Sequence, residues 1–261
     1  MLVGVSIRWL TVFLDLPTGA PDSTASFWAD VTGTSLSAWR GDKDEFATLI
    51  PPDGDAYLRL QRVQNRTGGC HLDLHVNVDA EPLDEIGSRA ESLGARLKSW
   101  EEDLVVLTSP GGLAFCLVPW NQETAVPRPV QSDGAGANRA DQICLDIPPA
   151  RFDDECSFWS ELTGWDVRPG ALPEFRYLRR PDGVPARILL QRRTYARRSD
   201  PVTAHLDFAC EDSAGAAIRH ATAGARVVAT FPGWITMADP ASRKYCLTRR
   251  DPETGRLRTT S

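Results

Sequence analysis

No stretch of this sequence is long and apolar enough to cross a bilayer. The opening MLVGVSIRWLTVFLDLP is its most hydrophobic start, but Arg8 and Asp15 interrupt it. It falls short of the roughly 20 residues a spanning helix needs. It also lacks the basic region and small-residue cleavage site of a secretion signal, so it is expected to be a strand. None of the six cysteines forms a CxxC pair, which excludes the common zinc-ribbon and thioredoxin-type motifs. Cys116, Cys144, Cys210 and Cys246 sit inside apolar runs, where a thiol behaves as a small hydrophobe. A reducing, cytoplasmic setting is expected from that usage. Neither 111-GG-112 nor 134-GAG-136 opens a helix as a phosphate-cradling loop must. An excess of positive charge is missing too. The net charge of −6 argues against a nucleic-acid or anionic-membrane partner.

Histidine is also rare, four in 261 residues, yet two of the four open matching segments, 70-CHLDLHV-76 and 204-AHLDFAC-210. The match belongs to a longer repeat. The stretch 14-LDLP…FWADVTG-33 returns as 145-LDIPPARFDDECSFWSELTG-164, and 58-LRLQRV-63 as 188-ILLQRR-193. Likewise 108-TSPGGLAFCLVP-119 returns as 238-ADPASRKYCLTR-249. Five landmarks in one order, each recurring about 130 residues on, indicate an internal duplication. The Pro-, Gly- and polar-rich 121-NQETAVPRPVQSDGAGANRA-140 is expected to be the linker between copies.

Each copy divides again. In the first, 8-RWLTVFLDLP-17 alternates like a strand. Pro21-Asp22-Ser23 offers turn and N-cap chemistry for a helix through Asp30, with Gly33 beyond its end. Strands are expected near 35–40, 45–50 and 56–63. A second strand–helix–strands series begins at 71-HLDLHVNV-78. Its helix opens at Asp79 or Glu81 with Pro82 in the first turn and stops at 93-LGA-95. Strands near 96–100, 104–108 and 113–118 follow. The pattern is βαβββ, four times over, which gives an α+β fold. The expected domains are 1–120 and 141–250, with linker 121–140 and tail 251–261.

Paired βαβββ modules carrying these motifs resemble the vicinal oxygen chelate superfamily, which includes glyoxalase I, bleomycin-resistance proteins and extradiol dioxygenases. Within it, the order LD-P, FW…TG, LQR, HLD, GA and CL, present twice, is most similar to the glyoxalase-like domain group. The resemblance implies cupped mixed sheets with helices outside and a ligand or metal in each cup. Side chains alternate across a strand, so Leu72, Leu74 and Val76 would face the helix side while His71, Asp73 and His75 face the cup. By the same parity Leu58 and Leu60 face the helix while Tyr57, Arg59 and Gln61 face the cup. Trp39, Trp100 and Trp234 lie on or near strands and could line a cup or pack at an edge. Trp28 and Trp159 are expected to pack helix against sheet.

Metal-binding members of the superfamily use four cup-facing positions. Transferred residue by residue, these are Thr11, Gln61, His71 and Cys116 in the first copy, and Gln142, Gln191, His205 and Cys246 in the second. The family pattern is His or Gln, Glu, His and Glu. Here Gln and Cys stand at both glutamate positions in both copies. A divalent ion normally draws on anionic ligands, so the transferred set points to a metal-independent site. Should zinc, iron, manganese or nickel bind, Gln142, His205 and Cys246 are the better set, because a cysteine thiolate would supply the charge. Asp73 and Asp207 repeat beside His71 and His205. They suggest Asp–His pairs that set the imidazole tautomer or move a proton. A nucleophilic Cys116–His71 pair oriented by Asp73 is a further reading.

Three functions stay open on the sequence. One is a metal-free binding protein for a small polar or aromatic molecule. The second is a metal-dependent lyase, isomerase or dioxygenase chelating two adjacent oxygens of its substrate. The third is a metal-free catalyst using the Asp–His pairs. The fused copies are expected to act as a monomeric pseudo-dimer or as a homodimer.

Overall fold

The computed structural model describes residues 5–132 and 134–258 of the protein. The first copy runs β1 (Ile7–Leu16), α1 (Ser23–Val31), β2 (Ser35–Leu36), β3 (Phe46–Ile50) and β4 (Leu58–Arg62). It continues as β5 (Gly69–Val76), α2 (Leu83–Ser92), β6 (Arg96–Glu101), β7 (Leu104–Thr108) and β8 (Ala114–Pro119). A short β9 (Val130–Ser132) leads into β10 (Gly136–Ile147), α3 (Phe152–Thr163), β11 (Val167–Pro169), β12 (Phe175–Leu178) and β13 (Arg187–Arg192). Then follow β14 (Thr203–Cys210), α4 (Ser213–Thr222), β15 (Arg226–Thr230), β16 (Trp234–Ala238) and β17 (Lys244–Thr248). The fourfold βαβββ series is therefore present. Among the described residues, no helix is long and apolar enough to cross a membrane.

The strands form two mixed sheets of matching order, β2-β3-β4-β1-β5-β8-β7-β6 and β11-β12-β13-β10-β14-β17-β16-β15. The duplication extends to irregularities. The register between β6 and β7 slips at Leu97/Ser99, and that between β15 and β16 slips at Val227/Ala229. Both slips fall on an outermost strand, where a bulge bends an edge away from further pairing.

Two expectations change in detail. The stretch 121–140, read as a linker, contains β9 and the start of β10, which pair antiparallel with Gly136 opposite Ser132. Pro127 and Pro129 precede β9, and Gly134 lies between the two strands; the strand residues in the stretch are too few to show alternation. Pro82 sits at the N-cap of α2, one position before the first helical residue. Its ring restricts the chain there without removing a helical hydrogen bond.

Close contacts group the chain into two compact units, each drawing on both copies. One takes residues up to Val12, His71–Ala125 and Ile143–Ala204. The other takes Phe13–Cys70, Val126–Gln142 and the chain from His205.

In the first unit, Phe115 of β8 meets Phe158 and Trp159 of α3 at ring separations of 5.8 and 5.2 Å. Burying three such rings contributes about 1.5–3 kcal/mol each. The Trp159 indole N–H is not left bare. It donates to Glu155, one turn earlier, at 2.9 Å, and the same fully buried carboxylate accepts the Gly111 N–H. Burial pushes the Glu155 carboxyl up from its usual range. Gly111 has to be glycine here, since an added Cβ would stand 2.4 Å from Val202 and 2.7 Å from the Glu155 carboxylate. Gly164 then ends α3 in the left-handed region, at φ 69, as a helix-terminating glycine does.

The second unit solves the same problem differently. Trp28 of α1 packs with Phe208 and Tyr245, at 6.4 and 5.2 Å. Its indole N–H donates to Asp239 at 3.0 Å. Asp239 sits beyond β16 and is held in turn by Arg243 at 2.7 Å. Arg243 also donates to the Asp15 carbonyl at 2.7 Å. Trp28 and Trp159 thus pack as expected, each against one buried carboxylate.

His220 of α4 completes that core. It is fully buried and its Nδ1 lies 2.9 Å from the Tyr245 hydroxyl. Burial, reinforced by Arg219, pushes its imidazole down to about 3. The unfolded chain therefore binds a proton here that the folded protein refuses. Stability is full above the ordinary histidine value near 6.5 and falls as pH drops below it. Lowering the pH from 7 to 5 is expected to cost about 2 kcal/mol through this group, read from urea midpoints. In His220→Phe that share of the loss should vanish.

Candidate functional site

The site begins with strand parity. In β5, Leu72, Leu74 and Val76 are fully buried on one face, and His71, Asp73 and His75 take the other. In the second copy β14 runs parallel to β17 with Asp207 opposite Cys246. In the first, β5 runs parallel to β8 with Asp73 opposite Cys116. Identical register puts an aspartate beside a cysteine twice, with the histidine two residues before each aspartate.

In the second unit His205, Asp207 and Cys246 converge, and their donor atoms lie within 4.8 Å of one another. His205 Nε2 is 3.3 Å from Asp207 Oδ1 and 3.6 Å from Cys246 Sγ. Gln142 of β10 donates its side-chain amide to Asp207 Oδ2, and the Thr236 hydroxyl lies 3.7 Å from Cys246 Sγ. Asp207 is only 3% exposed, yet its Oδ1 receives no hydrogen bond among the described residues. Burial and the neighbouring Asp207 push the Cys246 thiol up, against a smaller downward pull from His205. A buried carboxylate with an unfilled oxygen, an imidazole and a thiol suit a divalent cation of borderline softness. The donor set therefore fits such an ion.

Of the transferred positions, Gln142, His205 and Cys246 come together. Gln191, on β13, belongs to the first unit, where its Oε1 accepts from Cys144 Sγ at 3.4 Å. In the first copy His71 and Cys116 come together with Asp73. Thr11 meets the same face of β5 one turn of the pleat further on, at His75. It is fully buried and its hydroxyl lies 2.9 Å from His75 Nε2. Gln61, on β4, is paired across from Phe46 in the second unit. Trp100 lies over the helix α2, close to Gly87, so it packs at an edge. Trp39 lies under Arg62, 3.8 Å from the guanidinium carbon, and Trp234 stacks on Phe231 at 4.6 Å.

Two features escape sequence reasoning. Glu123, in the irregular segment after β8, stands 3.3 Å from His75 Nδ1, and no periodicity marks it. The aspartates had a signal, their repetition with the histidines, but their part in a donor set lies outside the four family positions.

A family model for the glyoxalase-like domain matches residues 11–118 and again 142–248. The chain belongs to the glyoxalase-like domain family. No curated protein sequence matches it. Among solved structures, the glyoxalase-like chain is similar to a variant of homoprotocatechuate 2,3-dioxygenase from Brevibacterium fuscum. The two share 14% identity at a TM-score of 0.63, covering 97% of this chain and 74% of that one. It is similar to 2,2',3-trihydroxybiphenyl 1,2-dioxygenase from Sphingomonas wittichii, at 14% identity and a TM-score of 0.60, covering 97% and 95%. It is also similar to the 2,3-dioxygenase LapB from a Pseudomonas species, at 14% identity and 0.60, covering 95% and 93%. Identity this low carries the fold alone: two tandem glyoxalase-like domains.

A buried carboxylate with an oxygen that receives no hydrogen bond is costly to the fold. Asp207→Asn keeps an acceptor for Gln142 and removes the charge. In the presence of chelator it should be more stable than the wild type by about 1–3 kcal/mol, measured by urea unfolding. Added zinc should then stabilise the wild type but not the variant.

Proposed function

We propose that this glyoxalase-like chain is a metal-dependent enzyme acting on a small molecule with two adjacent oxygen atoms. His205, Asp207 and Cys246 would hold the divalent ion. The observation that carries the reading is the convergence of those three donors around a carboxylate oxygen that receives no hydrogen bond. The transferred glutamate positions hold neutral glutamine and cysteine, which favours a metal-free cup. Asp207 answers that objection, since it brings negative charge to the same place from two residues along the histidine's own strand. The dioxygenase names of the structural neighbours support an enzyme over a pure binding protein.

The chemistry such an ion supplies when bound is Lewis-acid stabilisation of negative charge on substrate oxygen. The chain's own residues do the rest. Gln142 fixes the Asp207 carboxylate through its amide, which sets the direction of the remaining oxygen. His205 and Cys246 must give up protons to act as donors, so ion binding releases protons and strengthens as pH rises. Burial and the neighbouring Asp207 push the thiol up, so its deprotonation opposes ion binding at lower pH.

Elemental analysis of protein purified without chelator tests the reading. Divalent metal should be present in stoichiometric amount and fall by one equivalent in His205→Ala. Turnover of a small catechol should stop on chelation and return with metal. Protein that carries no metal, or that binds a catechol without being affected by chelator, would instead be a metal-free binder.

A further inference from the structure

The first copy contains a second trio that the transferred family positions do not explain. His71 and Cys116 stand at two of those positions, but the third member, Asp73, stands at none of them. Its side chain is only 7% exposed, and its Oδ1 has no hydrogen-bond partner among the described residues. The donor atoms of His71, Asp73 and Cys116 lie within 4.8 Å of one another. The trio sits wholly in the first unit, on β5 and β8, with Asp73 directly opposite Cys116 in the parallel register. A carboxylate oxygen that is nine-tenths buried, receives no hydrogen bond and lies close to an imidazole and a thiol is a place where a cation would offset the cost of burying charge.

The surroundings differ from those of the second trio in one informative way. Thr11 occupies the place corresponding to Gln142, yet it bonds His75 rather than the aspartate. His75 is buried, and Glu123 stands 3.3 Å from its other ring nitrogen. The polar neighbour that fixes one oxygen of Asp207 is thus committed elsewhere in the first copy.

We propose that His71, Asp73 and Cys116 form a second divalent-cation site, selective for an ion of the zinc class and loaded independently of the site at His205. Imidazole nitrogen, carboxylate oxygen and thiolate sulfur together favour zinc or cobalt over calcium or magnesium, which prefer oxygen alone. Occupancy would place an ion's charge beside the unfilled Asp73 oxygen and tie β5 to β8.

Cobalt titration of the chelator-dialysed full chain separates the two sites, because a cysteine-ligated cobalt gives a thiolate-to-metal charge-transfer band. The wild type should bind two equivalents. The double variant His205→Ala/Cys246→Ala should keep one equivalent and its band, and adding Cys116→Ser should remove both. In the double-variant background, Asp73→Asn should weaken cobalt at least tenfold. If the double variant does not fold, Cys116→Ser alone in the wild type carries the test, since it should drop binding from two equivalents to one. A double variant that folds and binds no cobalt overturns the second site. So does a Cys116→Ser protein that still binds the wild-type amount. Loss of all binding in Cys116→Ser would leave this site standing and remove the one at His205.

Discussion

The parallel pairing of β14 with β17, and of β5 with β8, is the constraint on which the chemistry of this protein rests. A parallel ladder with Asp207 opposite Cys246 fixes which side chains share a face. Parity along β14 then adds His205 to that face. No loop has to be placed with care. A slip of one residue in either ladder would turn aspartate and histidine into the packing layer and leucines into the polar one. The alternating fully buried residues, Leu72, Leu74 and Val76 in the first copy, hold the register against such a slip. Core packing and site geometry are therefore the same constraint seen from two faces of one strand.

Both copies also bury a tryptophan of the first helix in a module, and both meet its N–H with a carboxylate. The sources differ: Glu155 from the helix itself in one unit, Asp239 from a loop in the other. Duplication preserved the need to satisfy the indole and left the means free. The same holds for the site faces, where Gln142 serves Asp207 but Thr11 serves His75. An aromatic ring deep in a core is worth its burial only if its one donor is paired.

Much of this was legible in the sequence. Landmarks recurring in order gave the four modules, and alternation gave the faces of β5 and β4. His205 and Cys246 could be singled out because a scarce residue and an isolated thiol repeat with the pattern. What could not be read is instructive. Comparison of family positions asks only whether glutamate is present there, so the carboxylate at Asp207, two residues beyond the histidine position on β14, escapes it. Glu155 and Glu123 make their contacts through tertiary packing, and nothing periodic flags a lone acid on a helix or in an irregular segment. The two compact units, each built from parts of both copies, are likewise invisible to a repeat that runs in sequence order.

The role of the site depends on whether the Asp207 oxygen that receives no hydrogen bond faces a cation. The most direct test is an anomalous difference map, recorded at the zinc edge, from crystals of the full chain grown with zinc. A peak should appear bonded to His205 Nε2, Asp207 Oδ1 and Cys246 Sγ, with zinc–nitrogen at about 2.0–2.1 Å and zinc–sulfur at about 2.3 Å. A map without that peak, in which His205 still touches Asp207 directly, would contradict a metal site at these residues.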